Sequence, residues 1–91
     1  MNLIQGQVLD PQGRPVAGAA VYVASAPAAM PDIAQLTDAD GRFTVAAPVA
    51  GRYTLGARSD EFGQARAEVE VGGGGPVVVE IRFGRPEETQ G

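Results

Sequence analysis

The sequence predicts an all-β domain, a seven-stranded antiparallel Greek-key β-sandwich. Three observations lead there. Apolar residues recur at every second position in six stretches, while helical spacing is hard to find. Turn signals separate those stretches along the chain. The length, 91 residues, suits a single domain with one modest core.

Taken in order, residues 3–9 set Ile4, Gly6 and Val8 on one face. Residues 18–24 set Ala19, Val21 and Val23 on one face and Tyr22 on the other. A shorter run near 34–38 follows. Residues 42–47 carry Phe43 and Val45, and residues 52–58 carry Tyr53, Leu55 and Ala57. Tyr53 is expected in the core with its hydroxyl near an edge. Residues 64–71 alternate Ala65, Ala67, Val69 and Val71 inward with Gln64, Arg66, Glu68 and Glu70 outward. Residues 76–83 set Val77, Val79, Ile81 and Phe83 inward and Glu80 and Arg82 outward. Strands so short and regularly spaced pack as two sheets.

The tetrapeptide Asp-x-x-Gly occurs at 10–13 (DPQG), 38–41 (DADG) and 60–63 (DEFG). Asp at the first turn position accepts a backbone N–H two residues on, and Gly at the fourth tolerates a left-handed conformation. Pro11 fits the second position of a type I turn. Further breaks fall at 48–51 and at the glycine run 72–75. A three-residue hairpin loop over Gly72–Gly74 would set Val69 opposite Val77, Ala67 opposite Val79 and Arg66 opposite Glu80. A five-residue loop would set Arg66 against Arg82 and Glu68 against Glu80, which like charges disfavour. The domain is expected over residues 1–84, with 85–91 a polar, disordered tail.

Several absences restrict the chemistry. There is no Cys, His or Lys; the basic residues are seven Arg, and the net charge is −4. Thiolate and Schiff-base chemistry are excluded, as is any histidine base or ligand. An acidic chain of this kind is not expected to bind nucleic acid. No segment approaches the ~20 apolar residues of a membrane helix, so membrane insertion is not expected. The N-terminus has no secretory signal pattern. As written the chain reads as cytoplasmic.

The stretch Gly6-x-Val8-x-Asp10-x-x-Gly13-x-Pro15-Val16-Ala17-Gly18-Ala19-x-Val21-Tyr22-Val23 resembles the opening of carboxypeptidase regulatory-like domains. Thr37-Asp38-Ala39-Asp40-Gly41-Arg42-Phe43 and Gly51-Arg52-Tyr53-Thr54-Leu55 resemble that family's central hairpin and next strand. Together they span roughly residues 3–83, in the family's order and spacing. The resemblance implies a transthyretin-like sandwich serving as an accessory module without catalytic residues. Similar domains often belong to longer periplasmic or extracellular proteins. Related adhesin repeats carry Lys–Asn isopeptide bonds, and related hydroxyisourate hydrolases rely on histidines; this chain has neither Lys nor His.

Candidate sites are few. Aligned as a calcium loop with Gly41 at position 6, Asp38 and Asp40 fall on ligand positions. Leu36 and Ala47 then occupy positions 1 and 12, where carboxylates belong. The turn reading therefore prevails, leaving Asp38 and Asp40 as weak candidates for a surface ion. No cofactor is expected. Glu68 and Glu70 read as a solvated strand face. Ser25, Ser59 and four Thr lack a familiar base to activate them, so the chain is expected not to be an enzyme. Tyr22 and Phe62 are the aromatic candidates for carbohydrate contact. Met30 and Ile33, in the Pro-containing segment 24–34, are candidates for contact with a protein partner or for closing one end of the sandwich. The expected function is a scaffold or protein-interaction module, with carbohydrate binding as the alternative and a small hydrolase third. Oligomeric state is open.

Overall fold

The computed structural model describes residues 2–29, 34–72 and 74–84. Among the described residues there are seven strands: β1 (Asn2–Leu9), β2 (Ala20–Ser25), β3 (Gln35–Leu36), β4 (Arg42–Ala47), β5 (Gly51–Ser59), β6 (Gly63–Val71) and β7 (Val77–Arg82). They form a three-stranded sheet in the order β4-β1-β7 and a four-stranded sheet in the order β3-β2-β5-β6. Among the described residues there is no helix. Six of these strands fall within two residues of a stretch with period-two alternation, because that period buries one face of a strand against the opposing sheet; both residues of β3 are exposed.

The core lies between the sheets. Ile4, Val8, Val21, Tyr53, Leu55, Val71, Ile81 and Phe83 are its largest fully buried side chains. Tyr53 keeps its hydroxyl satisfied at the core's edge. It donates to Val49 C=O at 2.7 Å and accepts Val49 N–H at 3.3 Å. On the inner face, Gly6 stands opposite Phe43 across β1 and β4. A methyl at position 6 would meet the Phe43 ring and, at 2.8 Å, the Val79 carbonyl oxygen. The glycine is therefore the seat of the aromatic ring.

Two findings depart from sequence expectation. β6 and β7 do not form a hairpin: β6 pairs with β5, and β7 crosses to the other sheet. Arg66 consequently stands opposite Gly56, and Glu80 opposite Gln7. Alternation specifies which face of a strand is buried, but both sheets bury their inner faces in the same core, so it does not choose between them. Arriving from the far sheet, β7 runs parallel to β1, the single parallel pairing among the described residues.

The first two Asp-x-x-Gly turns are the same structure. Asp10 Oδ1 accepts the N–H groups of Gln12 and Arg14, each at 2.9 Å. Asp38 Oδ1 accepts those of Asp40 and Arg42, each at 2.9 Å. In both, the glycine N–H bonds the aspartate carbonyl at 2.9 Å. The third departs from expectation, because its cap moves one residue upstream. Ser59 Oγ accepts the N–H groups of Glu61 and Phe62. The β5–β6 register closes on Ser59 opposite Gly63, which puts Ser59, not Asp60, at the first turn position.

Thr37 is buried and locks the loop between β1 and β2 to the end of β3. Its hydroxyl donates to Val16 C=O at 2.6 Å and accepts Ala19 N–H at 2.9 Å. Thr37→Val keeps the shape but strands both backbone groups. It is expected to lower the free energy of unfolding by about 2 kcal/mol, read from chemical denaturation. An unchanged denaturation midpoint would show that water satisfies those groups.

The turn carboxylates make stability pH-dependent. Asp10 is held below its ordinary value of 3.8 chiefly by the Arg14 N–H, and Asp38 likewise by the Arg42 N–H. A carboxylate with a depressed folded-state pKa contributes stability above its unfolded value. That contribution is lost as the pH falls through the folded value. The melting temperature should therefore be insensitive to these groups above pH about 5 and decline below about 4. Asp10→Asn/Asp38→Asn keeps an acceptor oxygen and should flatten the decline; an identical acid limb in the double variant would refute the assignment.

Candidate functional site

The two outer sheet faces differ in chemistry. On the four-stranded sheet the face is charged across β5 and β6 and carries Leu36, 69% exposed, at its β3 edge. Arg52 reaches Glu68 at 3.9 Å and Glu70 at 3.5 Å. Tyr22 is half-buried. Its ring covers the position where Gly56 lacks a side chain, and the Arg58 guanidinium lies 5.8 Å from its centroid. Phe62 is half-buried too and stacks on Phe83 with centroids 5.8 Å apart. Both aromatic candidates thus have their rings engaged within the fold. Met30 and Ile33 lie outside the described residues.

On the three-stranded sheet, the outward side chains form cross-strand rows set by the register. Arg42, Gln7 and Glu80 make one row; Thr44, Gln5 and Val78 make the next; Ala46 and Leu3 make a third. A shallow trough of about 330 Å³ crosses this face, lined by Gln5, Gly6, Gln7, Arg42, Val78, Val79 and Glu80. Val78 is 80% exposed and Leu3 39%. The face thus has an apolar end and a polar end carrying Arg42, Glu80 and Arg82, with Arg82 3.8 Å from Glu80. With strands ~4.8 Å apart, the Arg42 and Glu80 backbones are roughly 10 Å apart with Gln7 between them.

The turn beside this face positions the polar end. Gln7 Nε2 donates to Asp40 C=O at 2.9 Å. Arg42 begins β4 with its N–H on Asp38 Oδ1. Asp38 and Asp40 thus act here through a turn oxygen that already accepts two N–H groups and a backbone carbonyl. Among the described residues, no group of three or more acidic, Cys or His side chains is placed to hold a metal ion. No helix there is long and apolar enough to cross a membrane.

Sequence reasoning did not single out Gln5, Gln7 or Val78. Their signal was present: Gln5 and Gln7 alternate with buried Ile4 and Val8. What a single strand cannot reveal is that β7 lies beside β1, and only that pairing assembles the face.

Comparison with known proteins agrees with this architecture. No curated protein matches the sequence. Among solved structures, the Bacillus anthracis TIE protein matches 90% of this chain and 16% of its own, with 16% identity and a TM-score of 0.66. The Klebsiella pneumoniae 5-hydroxyisourate hydrolase matches 93% of each chain at 24% identity and a TM-score of 0.59. A DUF3823 family protein from Parabacteroides merdae matches 90% of this chain and 45% of its own, at 17% identity and a TM-score of 0.61. The chain therefore spans a small part of the first of these proteins and under half of the third.

The hydrolase corrects the expectation that the chain is not an enzyme. A protein of the same fold, matched over nearly its whole length, is a catalyst. The transthyretin-like sandwich is therefore compatible with catalysis, and exclusion drawn from the lack of a Cys, His or Lys beside the Ser and Thr hydroxyls was too strong. The family itself is shown by a domain model that matches residues 3–84, nearly the whole described sandwich: the chain belongs to the carboxypeptidase regulatory-like domain family.

Proposed function

We propose that this β-sandwich is an accessory module, a rigid scaffold that presents the outer face of its three-stranded sheet to a protein partner. The observation that carries this reading is the pair of apolar side chains, Leu3 and Val78, exposed on that face beside Arg42. The four-stranded face neutralises its own charges through Arg52, Glu68 and Glu70. The three-stranded face pairs Glu80 with Arg82 at 3.8 Å but leaves Val78 and Leu3 exposed, and among the described residues Arg42 has no carboxylate partner. Exposed apolar side chains bordered by spaced polar groups suit a protein surface. The matching partner surface would set an acid against Arg42 and apolar side chains against Leu3 and Val78. The occurrence of similar folds within longer chains supports a modular role.

The test compares partner capture by the native chain with capture by two variants. Leu3→Lys/Val78→Lys changes the proposed face, and Glu68→Arg changes the opposite one. A specific partner should be retained by the native chain and Glu68→Arg, and its affinity should fall at least tenfold with Leu3→Lys/Val78→Lys. Equal capture by all three forms would move the interaction elsewhere. An oligosaccharide titration that shifts the amide signals of Tyr22 or Phe62 would favour carbohydrate binding instead.

A further inference from the structure

A sandwich has four edges, and three of these are blunted. β3 is two residues long. The outward backbone groups of β4 at Thr44 are occupied by one side chain: Gln35 Nε2 donates to Thr44 C=O at 2.6 Å, and Thr44 N–H donates to Gln35 Oε1 at 3.2 Å. β6 carries a row of polar and charged residues, Gln64, Arg66, Glu68 and Glu70, the last two held by Arg52. Charge, brevity and side-chain caps are the usual means of keeping an edge from pairing. β7 differs. It opens with three valines and, among the described residues, has a single neighbour, β1, and in Val78 the most exposed large hydrophobic side chain.

The free backbone groups of β7 can be identified. Phe83 N–H bonds Leu9 C=O at 2.9 Å, towards β1. By strand alternation, Ile81, Val79 and Val77 also aim their backbone groups at β1, and Val78, Glu80 and Arg82 aim theirs outward.

We propose that β7 pairs antiparallel with β7 of a second copy of this chain, with Glu80 of each copy opposite Arg82 of the other, joining two three-stranded sheets into one of six strands. The register follows by elimination. Ladder bonds require outward-aimed residues to stand opposite one another. Val78 opposite Val78 brings Pro76, which has no N–H, against Glu80. Val78 opposite Glu80 sets an apolar side chain on a carboxylate and Pro76 on Arg82. Glu80 opposite Glu80, or Arg82 opposite Arg82, confronts like charges. The remaining register puts a two-fold axis at Ile81 and makes two Glu80–Arg82 pairs. Within one copy these side chains already lie 3.8 Å apart on the same face, each about half exposed, at 55% and 46%. Exchange of partners between copies needs little side-chain movement. On the inner face the register continues the core, with Ile81 beside its own copy and Val79 beside Phe83. This pairing does not depend on the proposed partner face.

Sedimentation equilibrium of the full 91-residue chain tests it. The native chain should show reversible, concentration-dependent dimerisation. E80R and R82E should each weaken association about tenfold, through two like-charge confrontations per dimer. E80R/R82E should restore it to within about threefold, and R66E, on β6, should leave it unchanged. Circular dichroism confirms that each variant folds. A native chain that stays monomeric at the highest soluble concentration overturns the proposal. So does a dimer indifferent to both single reversals, or one that responds to R66E, or a failure of the double reversal to restore association.

Discussion

The close approach of Gly41 to β1 organises the end of the sandwich from which the candidate face is built. Val8 N–H bonds Gly41 C=O at 2.8 Å, and Val8 C=O accepts Val16 N–H at 2.9 Å. A methyl on residue 41 would sit 2.7 Å from that same Val8 oxygen, and Gly41 has φ +74°, where side chains are strained. Only a glycine lets the 38–41 turn lie against β1 so tightly. Once it does, the register of β4 on β1 follows, with Arg42 opposite Gln7. The loop after β1 is drawn in through Val16, and Thr37 fastens it from the other sheet. The twin aspartate turns then stand at one end of the molecule, each satisfying backbone donors that a buried loop could not leave free.

That constraint has a consequence for charge. Asp38 and Asp10 are spent on backbone N–H groups, while Arg42 has its backbone tied to the turn and its side chain left on the sheet. Asp40 reaches the face through its carbonyl, which orients the Gln7 amide. The polar end of the trough is therefore a product of turn geometry. It would not survive loss of the turn even with Gln5, Gln7, Arg42 and Glu80 all intact.

Much of the fold was legible because burial imposes a period. Val69 and Val71 on β6, and Ile81 and Phe83 near the end of β7, alternate with charged neighbours, and all four point into the core. The same logic could not pair the strands. A glycine run between two alternating stretches reads as a hairpin, yet β6 and β7 stand in opposite sheets, each with its own nearer mate. Turn chemistry was legible where the aspartate itself caps, at Asp10 and Asp38. It misled at Asp60, because Ser59 one residue earlier offered a hydroxyl at the register the β-hairpin required. The candidate face was the least legible part. It is a product of rows across β4, β1 and β7, strands separated in the chain by most of its length, and no local motif encodes a row.

The hydrolase on the same fold shows where functional argument must rest. A sandwich of this size has too little interior for a deep cavity, so whatever it does must happen on an outer face, on a loop or along an edge. Its inner faces are committed to Tyr53, Phe43 and the aliphatic core, and vary only at a cost in packing. The outer faces carry no such commitment, and neighbouring residues there can be exchanged without disturbing the alternation beneath. On this chain the four-stranded face has used that freedom to neutralise itself, with Arg52 between two glutamates and Tyr22 laid over Gly56. The three-stranded face has done so only in part: Arg82 lies 3.8 Å from Glu80, while among the described residues Arg42 has no carboxylate partner and Val78 is bare. Groups that satisfy one another within the fold have less to offer outside it, which leaves Arg42, Leu3 and Val78 as the residues through which the proposed contact would act.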